Sequence, residues 1–255
     1  MMILGFALAL VVGLTMGLLG AGGSILAVPI FVYVFDFPVK ESIAMSLAVV
    51  GTTSLVGAFR HARMKNVQLR IVLIFGPFAM LGTYGGARLA VFFSGGAQLA
   101  LFSVVMLAAG IFMLRDQYGD KPNAAGVGWP STLAVTLLVA EALAVGVLTG
   151  LVGVGGGFLI VPVLVFAGLP MKQAIGTSLL IIALKSFSGL VGYLGQVDVA
   201  WDVTTAFTAL AIVGIWIGAH LVQLVSPPAL KRSFAVFILV MAAWMLYESL
   251  FATIG

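Results

Sequence analysis

The chain has no cysteine among its 255 residues, and only 8% of them are charged. Without cysteine there is no disulfide, no thiolate metal ligand and no thiol nucleophile. Histidine is nearly as scarce: His61 and His220 are the whole complement, and no histidine–carboxylate cluster offers metal-ligand spacing. No cofactor and no metal are expected. No nucleophile–base pair or carboxylate pair supports an enzyme either. The shortage of charge excludes a soluble globular domain, which carries about 25% charged residues. Lys and Arg number 12 against 8 Asp and Glu. That small basic excess reads as membrane topology, not as nucleic-acid binding.

Long apolar sequence stands in place of charge, at 62% hydrophobic residues. Apolar segments fall near 3–35, 42–59, 69–93, 97–114, 131–168, 173–194, 203–225 and 233–254. Six are about one membrane helix long, at roughly 20 residues per span. The other two, 3–35 and 131–168, are too long for one helix and too short for two complete ones. The expected fold is an all-α polytopic membrane protein, a single transmembrane domain over 1–255.

Those two odd segments share a phrase. The first reads Gly17-Leu-Leu-Gly20-Ala-Gly22-Gly23-Ser24 with Pro29 beyond it, and the second Gly150-Leu-Val-Gly153-Val-Gly155-Gly156-Gly157 with Pro162. The match extends outward at a constant offset, through Gly13 and Gly146. After a one-residue slip, Pro38, Lys40, Ser46, Ser54 and Gly57 match Pro170, Lys172, Ser178, Ser186 and Gly189, and Gly82 and Gly86 match Gly214 and Gly218. The chain is therefore two homologous halves, about 3–119 and 131–255. Each has a broken or re-entrant Gly-rich first segment followed by three transmembrane helices.

Basic residues choose between two arrangements. If each long segment crosses once, the halves are parallel, and Lys172, Lys231 and Arg232 fall opposite the basic Arg60–Arg70 loop. If each returns to its starting side, the second half is inverted. All of those cations then share one side, leaving Lys40 and Arg88 opposite. Lys and Arg collect on the cytoplasmic side, which favours inverted repeats.

Irregular backbone at membrane depth is tolerated where protein or a water-filled cavity satisfies it. A helix restarting near Ser24 and another near Gly157 would aim free N–H groups and a positive dipole end at the break, which favours an anion. Gly20, Gly22, Gly23, Ser24, Gly153, Gly155, Gly156 and Gly157 are thus candidates for close approach to substrate. The alternative is helix packing, the expected role of the Gly13–Gly17 and Gly146–Gly150 pairs. Lys185 is the only basic residue deep in an expected span, and its counterpart is Thr53. It is a candidate ligand for an anion, or a partner of Glu141. Glu141, the only acid well inside an expected span, is also a candidate for proton coupling. Ser54 with Ser186, and Ser46 with Ser178, offer hydroxyls to substrate or to neighbouring backbone.

These motifs resemble the sulfite exporter TauE/SafE family of bacterial and archaeal membrane permeases. The resemblance rests on the paired phrases at 17–29 and 150–162, on Ala44-Met-Ser and Gly176-Thr-Ser, and on Lys185-Ser186. It covers essentially the whole chain. It implies alternating-access export of a small sulfur-containing anion, such as sulfite, sulfoacetate or a related organosulfonate, across a bacterial cytoplasmic (inner) membrane. A channel-like permease for another small anion or a carboxylate is the competing expectation. Expected partners are the anionic substrate and the lipid bilayer, with a homodimer left open and nucleic acid excluded.

Overall fold

The computed structural model describes residues 2–19, 23–115, 132–152, 157–166, 168–221 and 224–251. Among these the protein is all helical, with no β-strand. Both glycine phrases break a helix. Helix α1 (Met2–Leu19) stops before Gly20 and α2 (Ser24–Tyr33) restarts after Gly23; α6 (Thr132–Val152) stops before Gly153 and α7 (Gly157–Phe166) follows. The rest are α3 (Val39–Arg63), α4 (Leu69–Leu89), α5 (Gly95–Arg115), α8 (Met171–Tyr193), α9 (Trp201–Leu221) and α10 (Pro227–Phe251). Four stretches among the described residues are long and apolar enough to cross a membrane: Val39–Arg63, Leu69–Phe92, Met171–Tyr193 and Trp201–Leu221.

The same local chemistry delivers each half from its broken segment into its next helix. Asp36 has φ 60° and Gly168 φ +91°, so each chain turns through the left-handed region two residues before a proline. Glycine enters that region freely and aspartate tolerates it. Pro38 (φ −54°, ψ 145°) and Pro170 (φ −55°, ψ 141°) then launch α3 and α8 with nearly the same geometry.

Helix packing repeats under exchange of the halves: α1 lies on α9 as α6 lies on α4, and α3 lies on α9 as α8 lies on α4. Glycine pairs make the first two contacts. A methyl group at Gly17 would come within 2.5 Å of the Ala219 nitrogen, and one at Gly146 within 2.6 Å of the Ala79 carbonyl. Gly214 and Gly218 face Gly13 and Gly17 across α1–α9; Gly82 faces Gly146, and Gly86 faces Val147, across α4–α6. Small residues let backbones approach this closely, so the packing expectation for Gly13, Gly17, Gly146 and Gly150 holds.

The same contacts fix helix directions. On α1 and α9, Gly13 pairs with Gly214 and Gly17 with Gly218, so the two run parallel. Gly57 against Ile215, and Arg60 bonded to His220, make α3 parallel to α9 as well. Helices α1 and α3 therefore point the same way, and α2 brings the chain back between them. Phe35 returns to Phe6, with ring centroids 5.5 Å apart, and Gly23 sits against Met16. Helices α6 and α8 are both parallel to α4. By contrast α3 and α8 are antiparallel, with Leu47 against Gly189, Gly57 against Leu179 and His61 against Gly176.

Candidate functional site

Helices α3 and α8 cross near their middles, where Gly51 meets Phe187 and Gly57 meets Leu179. Thr53, Ser54, Lys185 and Ser186 all fall in that stretch and all are fully buried. Thr53 turns its hydroxyl back to Val49 O at 2.6 Å. Its counterpart Lys185 does the opposite and leaves its own helix. The Lys185 Nζ donates to Thr149 Oγ1 at 3.1 Å, and Thr149 in turn donates to Gly146 O at 3.0 Å. Thr149 stands one turn before Gly153, so the amine is held close to the second helix break.

The serines divide. Ser178 donates to Ile175 O at 2.8 Å, which accounts for it as local backbone bonding. Ser46, Ser54 and Ser186 are fully buried and none of their hydroxyl oxygens has a partner. Buried hydroxyls are ordinarily bonded, and each such exception marks either stored strain or a place for a ligand or water. Two of the three, Ser54 and Ser186, are counterparts in the two halves and flank the crossing.

Glu141 is exposed on α6, and the bond made by Lys185 goes to Thr149 instead. The pairing between Lys185 and Glu141 that the sequence left open is not what the structure builds. Ser24 opens α2 and is buried, and Gly23 precedes it as the N-cap. Gly157 opens α7. Gly20, Gly22, Gly153, Gly155 and Gly156 lie outside the described residues. Both restart positions read from the sequence are thus found, at Ser24 and Gly157.

Two residues that sequence reasoning did not select belong here. Tyr193, at the end of α8, donates its hydroxyl to Gly150 O at 3.1 Å and Leu151 O at 3.3 Å. Those carbonyls lie in the last turn of α6, where the helix ends and offers no internal partner. His61 occupies the corresponding place in the first half. It is fully buried against the backbone of Gly17, the counterpart of Gly150, and neither ring nitrogen makes a well-formed hydrogen bond. His61 and Tyr193 share the serine offset but not the residue type, so an identity match passes over them. Among the described residues, no group of three His, Cys, Asp or Glu could hold a metal ion.

This arrangement presents one amine and unpartnered hydroxyls around the α3–α8 crossing, with the end of α1 by His61 and the end of α6 by Tyr193, at opposite ends of those two helices. Donors predominate in it, and no acid is buried among the described residues. Comparison with known proteins agrees with a membrane transporter. The family described as sulfite exporter TauE/SafE matches residues 5–245. A probable membrane transporter protein of Methanocaldococcus jannaschii is 30% identical over 94% of each chain. A probable membrane transporter protein of Xylella fastidiosa is 31% identical over 93% of this chain and 92% of its own. A third, of Bacillus subtilis, is 27% identical over 87% and 90%. No solved structure matches.

Proposed function

The chain belongs to the sulfite exporter TauE/SafE family, and on that premise we propose that it exports a small sulfur-containing anion, such as sulfite or sulfoacetate, across a bacterial cytoplasmic membrane. The observation that carries this reading is Lys185: a fully buried amine, midway along its helix, with a single threonine partner. An ionisable group at such depth marks a substrate pathway by default. The unpartnered Ser54 and Ser186 hydroxyls flank it and suit the oxygens of a sulfite or sulfonate.

The halves act as inverted repeats in this reading. The antiparallel α3 and α8 support it, and so does the distribution of charge. The Arg60–Arg70 loop packs on the start of α8, where Gln68 bonds Gln173 and Thr177, and Arg60 bonds His220 near the end of α9. Lys172 stands at that same end, whereas Asp36, Glu41, Asp198 and Asp202 stand at the other. The cationic end is cytoplasmic by the positive-inside rule. The two hairpins then enter from opposite faces, each packed on the other half, and rocking one against the other alternates access to the α3–α8 crossing.

The test is a panel of anions scored by thermal stabilisation of purified protein, followed by efflux from proteoliposomes. Sulfite, sulfoacetate, sulfate, acetate and chloride separate the readings. Stabilisation by the sulfur oxyanions with saturable efflux is expected. Non-saturable flux of chloride or acetate would instead establish the channel-like permease.

A further inference from the structure

We propose that His61 is the proton-binding residue that couples this carrier to a pH gradient; the inference rests on the anion-transport reading and adds the coupling ion to it. Three observations converge. His61 is fully buried with both nitrogens unbonded. It lies against the backbone of Gly17, near the end of α1 at Leu19. Its counterpart Tyr193 occupies the matching position and closes two carbonyls of α6 with its hydroxyl.

The chemistry of the two latches differs. A phenol keeps its proton throughout the physiological range, so Tyr193 holds the second hairpin permanently. An imidazole buried among cations takes up a proton only when a neighbouring anion balances it. Gly17 commits its N–H inside α1, so what it offers His61 is its carbonyl. As imidazolium, His61 has two N–H donors and a charge suited to a helix C-terminus. As neutral imidazole it has one donor, and the first hairpin is held less firmly. Proton uptake therefore ties down one hairpin while the other stays tied.

The surroundings link the proton to the anion. Helix α1 contributes no charged residue. Helix α8 contributes Lys172 and, further in, Lys185; the loop after α3 contributes Lys65; α3 itself contributes Arg60 and Arg63, with Lys40 and Glu41 at its far end; α9 contributes His220, bonded to Arg60, with Asp202 at its far end. At the His61 end the permanent charges on these elements are all positive, Glu41 and Asp202 standing at the far ends of α3 and α9, so an anion at the crossing is what balances a proton on His61. Anion and proton favour each other's binding, and the linkage is reciprocal. On each cycle one proton joins the imidazole on one side and leaves it on the other alongside the anion, so the anion's own outward gradient drives export and an acidic exterior opposes it. Glu141, exposed on α6, is not placed for this role.

The experiment exchanges the latches. His61→Tyr installs the hydroxyl that its counterpart uses, which keeps a donor for the Gly17 carbonyl and so preserves the fold. Wild-type and variant protein are placed in liposomes with sulfoacetate as the transported probe and pyranine reporting lumen pH. The wild type is expected to move sulfoacetate about tenfold faster down a proton gradient and to move protons with it. His61→Tyr is expected to lose the acid-dependent gain in sulfoacetate binding and to ignore the gradient. In a His220→Gln background His61 is the sole imidazole, and sulfoacetate should shift its ¹⁵N NMR titration in nanodiscs. A His61→Tyr protein that still follows the gradient, or an imidazole titration that sulfoacetate leaves unmoved, overturns the proposal while leaving anion transport intact. A wild type that neither binds nor moves sulfoacetate or sulfite sinks the anion reading and the coupling with it.

Discussion

Replacing Lys185 by methionine should move binding and stability in opposite directions. The Lys185 side chain is fully buried and has one hydrogen-bond partner, Thr149. Methionine is nearly isosteric with the lysine stem, so no large cavity opens. Thr149 keeps its own bond to Gly146 O, so no donor is orphaned. Removing a poorly partnered polar group from such a place is neutral or favourable for folding. Binding of an anion loses a charge-assisted hydrogen bond, worth about 1.5–3 kcal/mol. At about 1.4 kcal/mol per decade, affinity falls by roughly 10- to 100-fold. A ligand at 100 times its Kd stabilises the wild type by about 2.7 kcal/mol, and a 100-fold loss of affinity reduces that to about 0.4 kcal/mol. The assay is thermal unfolding in detergent with and without sulfite or sulfoacetate. The expected result is unchanged or higher stability without ligand, and little ligand-induced shift. A Lys185→Met protein that is less stable yet keeps the full shift would refute the reasoning, because Lys185 would then be a structural residue.

Two further outcomes follow from helix packing and charge. Single cysteines at Met64 and Ala229, in a chain that has no native cysteine, should be labelled from the same side of the membrane, and one at Asp198 from the other; labelling 64 and 229 from opposite sides would remove the inverted arrangement. Gly150→Val should reduce folded yield sharply, because even a Cβ there meets the Thr83 carbonyl and the Ala87 nitrogen, whereas Gly85→Ala, which meets nothing within 4 Å, should leave monodisperse yield unchanged on size-exclusion chromatography.

What the sequence made legible was whatever stood out against apolar monotony. The breaks after Leu19 and Val152 were readable because glycine clusters interrupt otherwise continuous runs. Lys185 was readable because it is the one cation in mid-span. The Gly13–Gly17 and Gly146–Gly150 spacings announced packing but not the partner, since nothing local tells α1 to seek α9 over its own neighbour α3. Thr149 and Tyr193 were not readable. Their bonds join residues 36 and 43 positions apart, and a threonine or tyrosine within an apolar helix carries no pattern of its own. His61 was hidden because its counterpart differs in residue type, so the shared position showed only once Tyr193 was seen on the Gly150 carbonyl and His61 against Gly17.

Exchange packing also governs how the chain is made. The glycine face of α1 finds its close partner only in α9, which begins at Trp201, while α6 finds its own in α4, already synthesised. During translation the second hairpin therefore docks on emergence, but the first waits for most of the chain to leave the ribosome. Until then the α1 face is open to lipid or to an insertion chaperone. A truncated first half has nowhere to place that face, and expressing the two halves as separate polypeptides should rebuild the carrier only when both are present in the same membrane.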